Sequence, residues 1–239
     1  MTHLSLFSGI GGFDLAAEWA GFTTVAFVER DPFCQKILAR HWPGVPIHDD
    51  VRKLHPEPFR GVTLIAGGFP CQDVSRVNAK RTGIQGARTG LWHEMLRIVE
   101  GARPAWVLAE NVPGLITMGL DDCLAGLEGA GYAAWTLVCP ASGVGAIHRR
   151  ERVFIVAYAH DADGTLDRAD LEPKPGGSIS LPQGKWQNWG IEPTVRRGND
   201  GVSRRLDQAR LKALGNAVVP QQALPVLEAI AAVEAGTAP

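Results

Sequence analysis

A cysteine directly after a proline, between an apolar run and polar residues, is the first feature of this sequence that suggests chemistry. In the stretch AGGFPCQDVS, residues 66–75, Cys71 follows an apolar run and two glycines, so it falls on a loop after a predicted strand. Loops in this position commonly carry functional side chains. A thiolate on such a loop adds readily to electron-poor carbon if its pKa is low and access is open. Cys71 is therefore a candidate nucleophile, although a half-buried, inert thiol in a turn is the usual case for an isolated P-C pair.

An acid and two arginines flank other apolar runs of the chain. Glu110 and Asn111 end the run WVLAEN, and a partly buried glutamate at the rim of a sheet can have a raised pKa and donate a proton. Arg150 and Arg152 alternate onto one side where the run RVFIVAYA begins. Taken singly, Glu110 also fits an acid that ties a loop, and the arginines also fit a solvated strand end.

The N-terminal stretch LSLFSGIGGFD has the strand, glycine turn and helix order that binds ligands through backbone N–H groups. Glu29 ends the next apolar run, where a carboxylate can bind ribose hydroxyls. The dinucleotide fingerprint has a third glycine where this chain has Asp14. A nucleoside without a phosphate linker, such as S-adenosylmethionine, therefore fits better than a nicotinamide dinucleotide. A tight turn beside a surface acid is the alternative.

Strands and helices that alternate along the chain must position these residues. The pattern predicts a doubly wound α/β sheet with functional loops at the carboxyl ends of its strands. Asp31 and Pro32 have the types expected at the start of the second helix. The predicted strands are LSLF, TTVAFVE, VTLIA, AWVLAEN, YAAWTLVC and RVFIVAYA, and the predicted helices are FDLAAEWAGF, DPFCQKILARHW, LWHEMLRIVEGA and LDDCLAGLEGAG.

The alternation stops between residues 161 and 206, a stretch rich in Pro, Gly and Asp without a sustained period. This stretch is predicted to be a small irregular lobe or a disordered insertion. The run LGNAVVPQQALPVLEAIAAVEAG then restores an apolar helix, with Gly215 and Asn216 in a turn before it. We expect this last helix to pack back on the main sheet.

Composition sets limits on the class of protein. The 239 residues carry a formal net charge of −1, which counts mildly against a nucleic-acid binder but is compatible with a locally basic groove. The chain begins without the pattern of a signal peptide and has no apolar run of membrane-spanning length. Its four cysteines are scattered and its histidines lack zinc-like spacing. We therefore expect a cytoplasmic protein with no metal, no disulfide framework and no membrane contact.

In their order and spacing these motifs resemble those of the DNA (cytosine-5) methyltransferase family. LFSGIGG resembles its cofactor loop, GGFPCQ its nucleophile loop, ENV its acidic loop, and GNAVVP its C-terminal cofactor motif. HRRER resembles the family's Q-x-R-x-R motif, with His148 in the place of glutamine, and RTGLW resembles a minor motif that lines the cofactor pocket. The resemblance covers residues 1–158 and 206–239. It implies a Rossmann-like methyltransferase domain with helices on both faces of its sheet, and a small irregular target-recognition region at residues 159–205.

The resemblance also implies a role for each matching residue. Cys71 would be the nucleophile, Glu110 would contact the N3 edge of the base, and Arg152, with Arg150 beside it, would contact the cytosine O2. Asp50 would bind the adenine amine of S-adenosylmethionine. The expected cofactor residues are Phe7, Ser8, Gly9, Gly11, Gly12, Glu29, Asp50, Val51, Pro70, Leu91, Asn216 and Ala217, and the expected DNA contacts are Gln72, Ser75, Arg196, Arg197, Arg204 and Arg205.

The activity that follows from the resemblance is methyl transfer from S-adenosylmethionine to C5 of a cytosine that is flipped out of double-stranded DNA. We expect the enzyme to act as a monomer. One alternative is a tRNA cytosine-5 methyltransferase of the type that resembles DNA enzymes, because that type also keeps P-C-Q and E-N-V. Another is a non-catalytic DNA-binding relative, which would be expected to have lost Cys71 or Glu110.

Overall fold

The computed structural model describes residues 1–70, 90–159 and 204–237; for residues 204–207, 210 and 211 it describes the backbone alone. Within these ranges the chain forms a mixed sheet of seven strands. The strands are β1 (Thr2–Leu6), β2 (Thr23–Val28), β3 (Ile47–His48), β4 (Leu64–Gly68), β5 (Trp106–Asn111), β6 (Tyr132–Cys139) and β7 (Arg152–Ala159).

Helices follow most of these strands, as the alternating pattern predicts. Asp31 caps the second helix, where its carboxylate accepts a hydrogen bond of 3.0 Å from the backbone N–H of Phe33. The helices are α1 (Gly12–Trp19), α2 (Pro32–His41), α3 (Leu91–Ala102), α4 (Leu115–Met118), α5 (Leu120–Gly129), α6 (Arg204–Asn216) and α7 (Pro220–Glu234).

The strand order is β3-β2-β1-β4-β5-β7-β6. The pairs from β3 across to β5 are parallel, whereas β7 is antiparallel to both β5 and β6. The carboxyl ends of the parallel strands therefore meet at one edge of the sheet, and β7 begins at that same edge. The strand order reverses between β1 and β4, which is where ligands bind in open α/β sheets.

Apolar side chains cover both faces of the sheet. One face packs on α3 and α5 through residues such as Met95 and Leu127, and the other packs on α1 and α7 through Phe13 and Leu227. Consecutive residues of a strand alternate between the faces, so Leu64 belongs to one cluster and Ile65 to the other. This two-sided burial confirms the predicted doubly wound, Rossmann-like fold.

The prediction of a turn at Gly215 and Asn216 was wrong, because both residues lie at the C-terminal end of α6. The sequence of α6, RRLDQARLKALGN, lacks a continuous apolar stripe, so hydrophobic periodicity gave little signal there. Arg, Leu, Gln, Ala and Lys are nevertheless good helix formers. Intrinsic propensity would have indicated this helix where periodicity did not.

A buried polar cluster lies beneath the loop that follows β1. The Asp14 carboxylate accepts hydrogen bonds from the hydroxyls of Ser5 at 3.1 Å and Thr24 at 3.4 Å. The Ser5 hydroxyl also lies 2.9 Å from that of Ser8, which accepts a hydrogen bond of 3.2 Å from Val28 N–H. These contacts connect α1, β1 and β2 under a loop that the sequence assigns to the cofactor.

Burial changes the pKa values of the two titratable members of this cluster. Desolvation raises the pKa of Asp14 to about 7 and lowers that of His3 to about 3. The His3 Nδ1 atom lies 3.6 Å from the Asp14 carboxylate and 3.2 Å from the Thr24 hydroxyl. Both groups are therefore largely uncharged in slightly acidic solution, and the cluster is held by hydrogen bonds more than by charge.

We expect Asp14→Asn to become more stable, relative to the wild type, as pH rises from about 4 to about 7. The pKa of Asp14 is above its usual value of 3.8, so the folded wild type binds a proton that the unfolded chain has lost in this interval. The stability of the wild type from this group therefore falls as pH rises, by up to about 1.4 kcal/mol per pH unit. Asparagine does not titrate, so this fall in stability is absent from the variant. His3 contributes a pH dependence of the opposite sign, and that contribution is present in both proteins.

Urea unfolding at about pH 5 and about pH 8 measures this difference in unfolding free energy. The exposed substitution Asp121→Asn is the matched control, and we expect its effect to be the same at both pH values. An Asp14→Asn difference that does not change with pH would contradict the assignment.

Candidate active site

A buried carboxyl faces an arginine at the edge where the parallel strands end. Glu110, on β5, lies opposite Gly68 of β4 and Phe154 of β7. Its Oε1 atom is 2.7 Å from Nε of Arg152, the first residue of β7. Burial raises the pKa of Glu110 to about 7, although Arg152 and, more weakly, Arg150 oppose this rise. A carboxyl with this pKa exchanges its proton near neutral pH, as a general acid must.

The end of β4 is shaped to fit this carboxyl. A Cβ atom at Gly68 would lie 2.9 Å from Oε2 of Glu110 and 3.5 Å from Cγ2 of Val218. Real Cβ atoms essentially never approach other atoms that closely, so a side chain at this position would displace the Glu110 carboxyl. The GGF part of the nucleophile motif thus has a packing role that the sequence did not reveal.

Two contacts fix the backbone that leads from β4 to the candidate nucleophile. The Asn111 side chain donates a hydrogen bond of 3.2 Å to the Phe69 carbonyl, and the Phe69 ring packs on Trp92 with centroids 5.2 Å apart. Trp92, from the motif expected to line the cofactor pocket, is buried and supports the loop from below. Pro70 follows directly and is half-buried, whereas Cys71, Gln72 and Ser75 lie outside the described residues.

The loop after β1 adopts the tight path that its glycines allow. Phe7, Gly9 and Gly11 all have positive φ, at 54°, 57° and 88°. The Glu29 carboxylate accepts hydrogen bonds from Gly9 N–H at 2.7 Å and from Asp31 N–H at 2.6 Å. Glu29, which is expected to bind the ribose, therefore also connects the glycine loop to the residues that follow β2. A carboxylate has about four acceptor positions, so two remain for a ligand.

Two further glycines of this loop allow close packing. A Cβ atom at Gly11 would lie 2.5 Å from the Trp42 ring, and one at Gly12 would collide with the Val218 carbonyl. The start of α1 is thus packed directly against the segment between α6 and α7. Ser8, the remaining predicted member of the loop, belongs to the buried cluster described above.

Asp50 and Val51 lie in a turn after β3. The Asp50 carboxylate accepts a hydrogen bond of 3.1 Å from Arg52 N–H, which caps a short 3-10 helix, and Val51 is buried. Arg97 of α3 donates to the carbonyls of Val51 at 2.9 Å and Leu54 at 3.1 Å. Sequence reasoning missed Arg97, because a single arginine within an amphipathic helix gives no motif. Leu91 is half-buried at the start of α3.

The two arginines that the sequence placed together have different partners. Arg152 contacts Glu110, whereas Nη2 of Arg150 donates to the carbonyls of Gly215 at 2.9 Å and Ala217 at 2.7 Å. Arg150 thereby connects the loop before β7 to the predicted C-terminal cofactor motif. Asn216, between the two carbonyls, has an exposed side chain.

Two clefts open near this edge among the described residues. The larger, of about 810 Å³, includes the predicted cofactor residues Gly11, Gly12 and Ala217 but neither Glu29 nor Asp50. The smaller, of about 370 Å³, is lined by residues 112–114 and 149–152, beside the Glu110–Arg152 pair. Arg150 and Arg152 thus line the smaller cleft, Glu110 lines neither, and each cleft holds only part of the predicted set.

The three cysteines within the described residues are poor candidates for a nucleophile. Burial raises the pKa of Cys34 to about 12, and it also raises the pKa of Cys123 and Cys139. A thiol with a raised pKa carries little thiolate near neutral pH. The candidate nucleophile therefore remains Cys71, on sequence grounds.

Other predictions fall partly or wholly outside the described residues. Arg196 and Arg197 lie outside them, and Arg204 and Arg205 are described by their backbone alone, at the start of α6. In the part of the chain that the structure describes, no group of three or more His, Cys, Asp or Glu residues could hold a metal ion. No helix within those ranges is long and apolar enough to cross a membrane.

Comparison with known proteins gives one consistent family. The sequence profile of the C-5 cytosine-specific DNA methylases matches residues 1–189. The Type II methyltransferase M2.BsuMI of Bacillus subtilis (strain 168) is 36% identical over 191 residues, which cover 76% of this chain and 48% of that protein. M.FnuDI of Fusobacterium nucleatum, also a Type II methyltransferase, is 35% identical over 205 residues, which cover 84% and 58%. The chain thus spans about half the length of the curated relatives it matches.

Solved structures agree with this result. A protein described as a DNA modification methyltransferase encoded within a prophage (E. coli) superposes with a TM-score of 0.57 at 27% identity, over 66% of this chain and 47% of its own. The DNMT2 protein of Spodoptera frugiperda superposes with a TM-score of 0.58 over 70% of this chain and 52% of its own. At 22% identity, the second likeness supports the fold alone.

We expect Arg152→Met to raise the pKa of Glu110 above about 7. The guanidinium of Arg152 is the largest influence that lowers this pKa, through its charge and its hydrogen bond, whereas burial of the carboxyl remains in the variant. A carbon-13 NMR titration of the glutamate side-chain carboxyls measures the change. Arg103→Met is the control, because Arg103 donates to the Ala130 carbonyl at 2.5 Å and does not contact Glu110. An unchanged Glu110 pKa in Arg152→Met would show that the ion pair does not act on this carboxyl.

Proposed function

The chain belongs to the C-5 cytosine-specific DNA methylase family, and from this premise we propose that it methylates C5 of a cytosine in double-stranded DNA with S-adenosylmethionine. The observation that carries the proposal is the Glu110–Arg152 pair at the edge of the sheet, next to the end of β4. In the sequence, the candidate nucleophile Cys71 comes three positions after Gly68, the last residue of β4.

The proposed chemistry begins at Cys71. C5 of cytosine is a weak nucleophile until a group adds at C6, and the Cys71 thiolate would form that carbon–sulfur bond. The displaced electron pair moves toward N3, where the Glu110 carboxyl would donate its proton. C5 of the resulting enamine would take the methyl group as the bond between that methyl group and the cofactor sulfur breaks. Loss of the C5 proton would then expel the thiolate, the N3 proton would return to the Glu110 carboxylate, and the aromatic ring would be restored.

The pKa of Glu110 suits this role. At about 7, it leaves an appreciable fraction of the carboxyl protonated at neutral pH, so a proton is available for N3. Arg152 holds Oε1 of the carboxyl and is proposed to contact O2 of the same base. The pair would thus contact N3 and O2 of the base together, which distinguishes cytosine from bases that present other groups at these positions.

The described residues fit S-adenosylmethionine by their chemistry. The cofactor supplies an electrophilic methyl group when bound. Glu29 keeps acceptor positions for ribose hydroxyls while it holds Gly9, and Asp50 presents a carboxylate that suits an exocyclic amine. We propose these residues, with Asn216 and Ala217, as the cofactor site.

The DNA contacts of the proposal rest on sequence. We propose that residues 159–205 choose the target sequence, because the sequence motifs that resemble those of the family lie on either side of this stretch. Its basic residues Arg196 and Arg197 have the charge that phosphate contacts need. Because C6 of a stacked base is not accessible to a thiolate, the target cytosine must leave the duplex.

We expect Glu29→Ala to weaken the binding of S-adenosylmethionine by roughly 1.5–3 kcal/mol for each hydrogen bond lost to the ribose. Isothermal titration calorimetry without DNA measures this affinity. The carboxylate also holds Gly9 N–H and Asp31 N–H, so a thermal unfolding curve should accompany the titration. A folded variant with unchanged cofactor affinity would count against this placement.

The trapping of Cys71 tests the reaction itself. A DNA oligonucleotide with 5-fluorocytosine at the target should form a covalent complex that survives denaturing electrophoresis and requires S-adenosylmethionine. Methyl transfer proceeds, but fluorine does not leave as a proton does, so the Cys71 sulfur stays attached to C6. Glu110→Gln should slow trapping by about 10²–10⁴-fold, the usual effect of losing a positioned proton donor.

Cys71→Ser should abolish trapping, because a serine hydroxyl is far less nucleophilic than a thiolate. Cys34→Ser, Cys123→Ser and Cys139→Ser are matched controls that should still trap. If Cys71→Ser formed the same covalent species, Cys71 would not be the nucleophile and the proposed mechanism would be wrong. Trapping of an RNA oligonucleotide in place of DNA would instead identify the substrate as RNA.

A further inference from the structure

Arg150 combines three features that each cost stability. It is a non-glycine residue with a φ of 26°, its guanidinium is partly desolvated, and its Nε atom is buried without a hydrogen-bond partner among the described residues. A buried donor without a partner alone costs about 1–3 kcal/mol. Such features persist where the surrounding structure enforces them, and they are frequent at functional sites.

The side chain of Arg150 forms hydrogen bonds with the backbone of the C-terminal motif. Its Nη2 atom donates to the carbonyls of Gly215 and Ala217, which flank Asn216 on both sides. A charged donor bound to carbonyls forms stronger hydrogen bonds than a neutral one. Arg150 therefore holds the backbone on either side of a residue proposed to contact the cofactor.

The backbone of Arg150 is held in turn by Gln222 of α7. The Gln222 amide donates to the Arg150 carbonyl at 2.9 Å and to the Cys139 carbonyl at 2.5 Å, and it is almost fully buried. The loop between β6 and β7 and the segment between α6 and α7 are thus joined in both directions. Two residues after Arg150, Arg152 contacts Glu110, so the same loop reaches the catalytic acid.

We propose that Arg150 is a positioning residue that fixes residues 215–217 against the loop before β7, and so keeps Asn216 in register with the Glu110–Arg152 pair. Arg150 acts through this backbone and does not contact the base. The part that concerns the cofactor rests on the proposed function, whereas the part that concerns residues 215–217 depends only on the contacts of the protein.

The test compares Arg150→Met, Arg150→Lys and Arg103→Met in the full chain. Arg103 is a close match, because it also has a positive φ, of 51°, and also donates to a backbone carbonyl, but it lies at the end of α3. Hydrogen exchange of the ligand-free proteins measures protection of residues 214–222, where Ala217 N–H and Gln222 N–H are hydrogen-bonded. Calorimetry with S-adenosylhomocysteine, without DNA, measures the affinity of the cofactor site.

We expect Arg150→Met to exchange faster at residues 214–222 and to bind S-adenosylhomocysteine about tenfold to a hundredfold more weakly, or about 1.4–2.8 kcal/mol. Arg150→Lys should recover part of both properties, and Arg103→Met should match the wild type at these residues. In single-turnover methylation, saturating S-adenosylmethionine should restore most of the rate of Arg150→Met, because its defect is in the cofactor site.

A different pattern would overturn the proposal. Unchanged exchange and affinity, with slow methylation even at saturating cofactor, would mean that Arg150 contacts the base directly. If the wild type binds no S-adenosylhomocysteine, the proposed function fails. Hydrogen exchange then still tests the positioning role. If exchange at residues 214–222 is the same in Arg150→Met as in the wild type, Arg150 does not position this segment.

Discussion

The contact between Glu110 and Arg152 is the interaction on which the other features of this edge depend. A carboxyl buried at the end of a strand is costly unless a cation or donor faces it, and here the cation comes from the first residue of β7. Because Arg152 is the first residue of β7, its contact with Glu110 requires β7 to run antiparallel to β5, so that one strand begins where the other ends. The departure from an all-parallel sheet is thus a requirement of the site.

Backbone that approaches the acid closely imposes a second requirement. Gly68 leaves room for the Glu110 carboxylate, and Gly12 leaves room for the Val218 carbonyl. Any side chain at these positions would move either the acid or the segment after α6. The glycines of the two motifs therefore allow the loop after β1, the Glu110 carboxyl and the segment after α6 to lie close together.

The sequence predicted most of the elements that the structure describes, though not β3, α4 or α6, because each predicted element carries its own signal. Apolar runs marked the strands, and Asp31 followed by Pro32 marked the start of α2. It did not predict which partner each polar side chain selects. Arg150 and Arg152 lie on one strand entry and look equivalent, yet one binds backbone carbonyls and the other binds Glu110.

The contacts that sequence reasoning missed share a physical cause. Asn111 binds the Phe69 carbonyl, Arg97 binds that of Val51, and Gln222 binds that of Arg150. Backbone carbonyls are present at every residue, so the sequence holds no complementary pattern by which these acceptors could be recognised. Only the tertiary structure determines which of them lies within reach of a given side chain.

These contacts also make the site strongly non-local. Gly12 near the N-terminus packs against Val218 near the C-terminus, and the Trp106 indole donates a hydrogen bond of 2.8 Å to Glu234 at the end of α7. Such contacts form only after a long loop of chain has closed, which costs entropy before any contact is gained. The packing of α7 on α1 therefore helps to hold the segment after α6 against the loop after β1.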